Sequence, residues 1–360
     1  MKVVFLIGSL EFGGAERTVL YLSSYLAEHG DEVTVYAMTN SVNYMLNPKV
    51  KIVYGNLPTE HNSCLRRYVN IAQRTIAINH AIRKERPELV FCIMASMAKY
   101  LMVDKCRKYK LIVSERTNPK YLPSWQFELE KKIFKKADGI IFQTERVKEN
   151  FRGLTEGKST VIPNAVGNEY VTEAEWKADG RKTVAAIGRL SREKDYPVMI
   201  KAFRHFLSTH PGFTLEIYGV GREKEIIERC ISEYGLENKV MMQGVRQDAI
   251  KEISDARCYL MTSVCEGMPN TLMEAMAIGM PCISTDCEYG PAELIKDGEN
   301  GLLVPVGDVE AISKAISKMV DDRKFAEKCG RNAGKIRETN SIEKICLRYK
   351  AYFNKVVTGD

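Results

Sequence analysis

Short runs of apolar and β-branched residues alternate along the chain with longer stretches in which apolar positions recur every three or four residues. The first half carries five such runs: "KVVFLIG" (2–8), "EVTVYAM" (32–38), "LVFCIM" (89–94), "LIVS" (111–114) and "GIIFQT" (139–144). They are short and continuously apolar, the mark of strands buried on both faces of a parallel sheet. Between the first two, "AERTVLYLSSYLAEHG" (15–30) has helical spacing, and Gly30 is placed to close its end. The alternation pauses over "TVIPNAVGNEYVTEAEWKADGRKT" (160–183), where Pro, Gly, Asn and charges mix. It restarts with "TVAAIG" (183–188), "TLEIYG" (214–219), "KVMMQG" (239–244), "CYLMTS" (258–263), "PCIST" (281–285) and "LLVP" (302–305). Three of these six end in glycine, which lets a ligand or helix approach the carboxyl end of a strand closely. The pattern predicts an α/β protein of two doubly wound, Rossmann-like domains facing a central cleft. The domains span 1–165 and 183–340, with a linker over 166–182 and a final helix in 341–360. No low-complexity segment or solenoid repeat interrupts this order.

Composition narrows the class. Across 360 residues, 45% hydrophobic and 28% charged content is that of a globular protein. The opening "MKVVFLIGSLEFGG" is read as a first strand, because the apolar run is short and lacks a small-residue cleavage site. No later run nears the length of a membrane span. The ten cysteines include no C-x-x-C pair and no metal-like spacing with the five histidines. They are expected to be small buried hydrophobes in a reducing cytoplasm. Residues 1–165 carry 25 Lys+Arg against 16 Asp+Glu, and residues 166–360 carry 28 against 30. The basic first half suits nucleic acid, an anionic membrane, a phosphate-bearing substrate or a merely solvated surface. Nucleic acid is disfavoured, since no aromatic platform or known module accompanies the charge.

Three stretches carry candidate chemistry. In "GSLEFGGAERTV" (8–19), Gly13 and Gly14 turn the chain from a strand into a helix whose start can receive an anion; the same pair also reads as a plain turn. The spacing is not G-x-G-x-x-G, so a nicotinamide cofactor is not expected. In "IGRLSREKDY" (187–196), Arg189 and Lys194 put two cations at a strand end, suited to a diphosphate or to solvent. In "CYLMTSVCEGMPNTLMEAMAIGMPCIS" (258–284), Glu266 precedes a turn and Glu274 lies in the following helix. Pro269 is expected in its first turn, with Asn270 or Thr271 as cap. Carboxylates flanking an anion site fit a nucleotide sugar, which brings hydroxyls and phosphate together.

The block "EGMPNTLMEAMAIGMPCIST" resembles the E-x7-E signature of glycosyltransferase family 4, the retaining enzymes of GT-B fold. "FGGAER", "IPNAV", "GRLSREKD", "IYGVGRE" and "GPAELIKDGENGLLVP" follow in the family's order over nearly the whole chain. The resemblance implies an N-terminal acceptor domain, a C-terminal nucleotide-sugar domain and a final helix crossing back to the first. It implies that Arg189 and Lys194 neutralise the donor diphosphate and that Glu266 contacts the transferred sugar. Gly267, Met268, Pro269, Asn270, Thr271 and Leu272 would present backbone N–H groups, and Glu274 would bind the ribose. Gly219 belongs with the donor-binding residues, Gly244 and Val245 with the base. Gly13 and Gly14 would approach the diphosphate from the first domain. No metal and no cofactor beyond the donor, a UDP-sugar, is expected.

The sequence departs from the family in one place. Where many relatives have a histidine, it reads "SERTNP" (114–119), which leaves Glu115 or Arg116 for the acceptor side, or a salt-bridged loop. "QFELEKKIFKKA" (126–137) sets lysines beside Phe127, Leu129, Ile133 and Phe134; with Arg66, Arg67 and Trp125 it reads as a contact for an anionic membrane or lipid-linked acceptor, or as ordinary packing. The expected activity is transfer of a hexose or N-acetylhexosamine to a lipid-linked or oligosaccharide acceptor of a surface polysaccharide, at the inner face of the cytoplasmic membrane. A sugar-nucleotide epimerase of similar fold and a non-catalytic sugar-nucleotide-binding subunit are the rival readings.

Overall fold

The structure is a computed structural model that describes the chain except residues 12, 42–45, 56–63, 105–106, 117–118, 120–121, 169, 171–174 and 360, and only the backbone of 64–68. The chain forms two compact units, Met1–Ala165 with Ile342–Asp360, and Val166–Ser341.

The first unit is built on a parallel sheet of seven strands: β1 (Lys2–Ile7), β2 (Glu32–Ala37), β3 (Lys51–Tyr54), β4 (Leu89–Cys92), β5 (Lys110–Glu115), β6 (Gly139–Phe142) and β7 (Ser159–Val161). Their order is β3-β2-β1-β4-β5-β6-β7. Helices Gly14–Glu28 and Ile342–Thr358 belong to one core cluster with Val3, Phe5, Ile7 and Phe91. Phe353 of the terminal helix is fully buried, its ring 5.1 Å from that of Phe91. Tyr352 of the same helix accepts a hydrogen bond from the Ile140 N–H (3.0 Å) and donates to the Lys158 carbonyl (2.7 Å). Helix Ser124–Lys136 packs through Phe134, whose ring meets those of Phe142 and Phe151 edge-on at 5.9 and 4.8 Å.

The second unit has six parallel strands: β8 (Thr183–Ile187), β9 (Thr214–Tyr218), β10 (Val240–Gly244), β11 (Cys258–Met261), β12 (Cys282–Thr285) and β13 (Leu302–Val304), in the order β10-β9-β8-β11-β12-β13. The continuously apolar runs are these central strands, whose burial on both faces explains their lack of alternation.

Two strands were not expected. β3 and β7 lie at the sheet edges, where half-exposed residues and flanking Lys51 or Lys158 weaken the apolar signal. The described residues of 166–182, which leave out 169 and 171–174, group with the second unit rather than standing apart as a linker. The Trp176 N–H donates to the Ile278 carbonyl (2.8 Å), its indole Nε1 to Ala256 O (2.8 Å), and Arg181 pairs with Asp255 and the buried Glu216. Of the eight described cysteines, all free, seven are buried and Cys265 is half-buried; Cys64 and Cys106 lie outside the described side chains.

Candidate active site

In the second sheet the chain runs outward from β8 through β9 to β10, then returns to place β11 on the other side of β8. Where the strand order reverses, the following loops part, and a crevice for a ligand opens at the carboxyl ends. The loops after β8 and β11 carry Arg189, Lys194 and Glu266.

After β8 the chain passes through Gly188 and Arg189 into a 3₁₀ turn, Arg192–Lys194, and then helix Tyr196–Leu207. Gly219, at the end of β9, has φ 147°, and a Cβ there would collide with the Gly188 carbonyl; only glycine lets the two strand ends meet. The buried Tyr196 donates its hydroxyl to Gly188 O (3.0 Å). Arg189 stands exposed at the rim. Lys194 is half-buried, and its Nζ lies 2.5 Å from Glu266 Oε1, closing a contact across 72 residues of sequence. The same oxygen accepts from Ser263 Oγ (2.6 Å), and Thr285 Oγ1 donates to Ser263 O (2.6 Å).

Gly290, with φ 88°, packs under the turn that follows Glu266: a Cβ would stand 2.5 Å from Gly267 O and 2.8 Å from Pro269 Cδ. Helix Asn270–Ala277 then begins. Pro269 is its N-cap rather than a first-turn residue, so neither Asn270 nor Thr271 holds the cap position. Proline already fixes the extended entry (φ −75°, ψ 105°), and Thr271 Oγ1 is engaged by the Tyr259 hydroxyl at 2.8 Å. That hydroxyl also donates to Ile187 O (3.1 Å), so β8, β11 and the helix are joined at one point. Met268, Pro269, Leu272 and Glu274 are buried, with Glu274 inside the helix. Gly244, ending β10, accepts from the Gly219 N–H (2.8 Å) and Val245 beyond it is exposed. β10 lies two strands from β8, about 10 Å at the usual spacing, the span of a nucleotide along the sheet edge.

The Glu266 carboxylate is felt by its neighbours. Burial first, and then this negative charge, pushes the Tyr196 hydroxyl up and the Cys287 thiol up to about 12. The crevice thus holds a carboxylate matched by the Lys194 cation in a partly dry setting.

In the first unit the strand order reverses between β1 and β4, and Gly13 with Gly14 follows β1 at the start of helix Gly14–Glu28. The Arg17 N–H to Gly13 O bond (3.1 Å) opens that helix. Glu115 ends β5 and is 2% exposed. Its Oε1 accepts from the Arg116 N–H (3.0 Å), and its carboxylate is hydrogen-bonded to the equally buried Glu130 of helix Ser124–Lys136. Arg116 Nη2 donates to Thr18 Oγ1 (2.8 Å) and to Asn164 Oδ1, tying the first helix to the exit of β7. Residues 117 and 118 of the "SERTNP" stretch, and the side chains of Arg66 and Arg67, lie outside the described residues.

Sequence reasoning singled out none of Tyr196, Tyr259, Ser263 or Gly290. The tyrosines sit in runs that read as core, and their hydroxyl bonds need the fold to be seen.

Two parallel Rossmann-like units, the second with polar residues gathered at a topological switch point, define a doubly wound α/β protein. Two family models match it: Glycosyltransferase Family 4 over residues 12–169 and Glycosyl transferases group 1 over residues 171–336. The chain belongs to glycosyltransferase family 4. It is 31% identical over 225 residues to the exopolysaccharide phosphotransferase SCO2592 of Streptomyces coelicolor, covering 61% of this chain and 24% of that protein. It is 29% identical over 255 residues to the uncharacterized glycosyltransferase MJ1059 of Methanocaldococcus jannaschii, covering 62% of each. The chain therefore spans less than two thirds of the length of either relative. A match at 25% identity covers 93% of this chain and 94% of the N-acetylgalactosamine-N,N'-diacetylbacillosaminyl-diphospho-undecaprenol 4-alpha-N-acetylgalactosaminyltransferase of Campylobacter jejuni. Among solved structures, the sucrose-phosphate synthase of Thermosynechococcus elongatus aligns with TM-score 0.84 at 18% identity, covering all of both chains. Anabaena Alr3699/HepE in complex with UDP and glucose aligns with TM-score 0.79 at 16% identity over 99% and 100%. Both share the fold.

Proposed function

We propose that the protein is a metal-independent, retaining glycosyltransferase. It moves a hexose or N-acetylhexosamine from a UDP-linked donor to a lipid-linked or oligosaccharide acceptor in surface polysaccharide biosynthesis. The observation that carries this reading is the Lys194–Glu266 pair at the switch point between β8 and β11. Each of these side chains engages the other. A donor exchanges that contact for two better ones: the diphosphate takes the Lys194 ammonium, and sugar hydroxyls take the carboxylate. Ser263 donates to Glu266 Oε1, the oxygen that Lys194 also meets, so Oε2 can accept a hydroxyl while Ser263 still holds the carboxylate. Arg189 joins Lys194 at the rim as the second cation, and Glu274 receives the ribose. UDP as nucleotide, and a diphospho-undecaprenol-type carrier, are supported by what the HepE complex and the Campylobacter enzyme are named for.

In the reaction the acceptor hydroxyl oxygen bonds to the anomeric carbon on the face from which the diphosphate departs. The carbon–oxygen bond to the diphosphate breaks, and the hydroxyl proton passes to a departing phosphate oxygen. Negative charge grows on the leaving group, and fixed cations aimed at it lower the barrier. Two side-chain cations supply here what a divalent metal supplies elsewhere.

Among the described residues no helix is long and apolar enough to cross a membrane. The apolar side of helix Ser124–Lys136 is spent on the core, through Ile133 and Phe134. Trp125, 61% exposed, remains outside with Lys132, Lys135 and Lys136. An aromatic anchor beside three cations supports peripheral contact with an anionic leaflet at the inner face of the cytoplasmic membrane. The test of the donor site is thermal denaturation with UDP, GDP and ADP and then their sugars, with and without EDTA. Stabilisation by UDP that EDTA leaves intact is expected; no shift with any nucleotide removes the reading.

A further inference from the structure

Among the described residues only Arg86 and Asp195 place a non-glycine backbone in the left-handed region. Asp195, at φ 48° and ψ 49°, directly follows Lys194. Such a conformation carries strain for a residue with a Cβ, and it persists where surrounding groups over-determine it. The helix start holds one side of it, through the Val198 and Met199 N–H groups on the Asp195 carbonyl (3.1 and 3.3 Å); further holding groups come from the exit of β11. Thr262 is 1% exposed, and its hydroxyl lies 3.0 Å from the Lys194 carbonyl oxygen and 3.2 Å from that of Asp195, donating to this pair of adjacent acceptors. Two residues on, the Val264 N–H donates to Glu193 O at 2.8 Å. Between them sits Ser263, whose hydroxyl holds Glu266. Two neighbouring hydroxyls therefore fix both partners of the crevice ion pair, Ser263 through the carboxylate and Thr262 through the main chain of the lysine.

We propose that Thr262 is a positioning residue for Lys194: its hydroxyl clamps the left-handed Lys194–Asp195 segment so that the ammonium stands at Glu266 and, in the working enzyme, at the donor diphosphate. The second half of this statement rests on the glycosyltransferase reading; the first does not. A valine at 262 keeps the shape of threonine but leaves the Lys194 carbonyl without its donor, while the Asp195 carbonyl keeps the Val198 and Met199 N–H groups; the Lys194 side of the turn relaxes and the lysine swings away.

The experiment is a double-mutant cycle with a crystallographic arm. Thr262→Val lowers kcat about ten- to a hundredfold, the scale of a misplaced catalytic group, and Thr262→Ser restores it. Asp195→Gly removes the strain at its source, so in that background Thr262→Val costs only a small part of its original loss. Additive losses, or a serine variant no better than valine, overturn the clamp. The crystal structure of Thr262→Val needs no donor: Lys194 Nζ is expected to leave Glu266 Oε1, and an unchanged pair overturns the proposal. If the wild type turns over no nucleotide sugar, the functional reading fails and the crystal arm alone judges Thr262. If the wild type is active and Thr262→Val keeps its kcat, the clamp fails and the functional reading stands.

Discussion

Replacing Glu130 by glutamine should stabilise the protein, and by more as the pH rises. Glu130 sits on helix Ser124–Lys136, 2% exposed, hydrogen-bonded to a second carboxyl group, Glu115. Burial first, and then the Glu115 charge, raise its pKa from 4.5 to about 8. In the folded protein Glu130 therefore keeps its proton at neutral pH, while in the unfolded chain it gives the proton up near 4.5. The native state binds the extra proton throughout that window, so stability is fully present below pH 4.5 and is lost as pH climbs towards 8. Each unit within the window removes about 1.4 kcal/mol, which amounts to roughly 3 kcal/mol by pH 7. Glutamine cannot ionise, and its amide N–H donates to Glu115 as the acid O–H does. Urea denaturation of wild type and Glu130→Gln at pH 5, 6, 7 and 8 reads the proton held by the Glu115–Glu130 pair, because the titrating groups outside that pair are common to both. The variant should match the wild type near pH 5 and exceed it by a few kcal/mol at pH 8. Parallel curves, or a variant weaker at pH 8, would refute the buried-acid reasoning.

Glu274→Ala should weaken UDP binding by roughly 1.5–3 kcal/mol, the worth of hydrogen bonds to a charged group; calorimetry that finds equal affinity removes the ribose assignment. Lys194→Ala should lower kcat by about 10²–10³, as loss of one preorganised charge does at other sites, and near-normal turnover in the same assay counts against the leaving-group role. Phe353→Ala should cost about 3–5 kcal/mol of stability in the first unit, read by hydrogen exchange in β4 and β5, while exchange in β8 and β11 stays unchanged. Trp125→Ala combined with Lys132→Glu and Lys135→Glu should release the protein from anionic vesicles in a sedimentation assay; undiminished binding ends the membrane proposal.

The central strands were legible because burial on both faces leaves no room for polar residues, so "KVVFLIG" and "TVAAIG" declare themselves. Edge strands β3 and β7 did not, since one side meets solvent. Arg189, Lys194 and Glu266 could be picked out as polar residues just past apolar runs. That Lys194 and Glu266 touch could not, because the pairing follows from the order β8-β11 and not from their separation in sequence. The burial of Glu130 within "QFELEKKIFKKA" could not be seen either, because its partner, Glu115, lies on another element. The left-handed turn at Asp195 was equally hidden, since aspartate signals no such need and its support arrives from β11.

The helix Ile342–Thr358 completes the core of a unit whose other residues end at Ala165, with the whole second unit in between. On the ribosome this fixes an order of events. The first 165 residues emerge with Phe91 and its neighbours uncovered, and must wait while 176 further residues are made, enough for the second unit to close by itself. Only when Tyr349 and Phe353 leave the exit tunnel can the first unit seal its sheet. The segment made before the second unit is thus the last to mature, and a chain cut short before Ile342 carries a closed second unit attached to a first whose core lacks Tyr349 and Phe353.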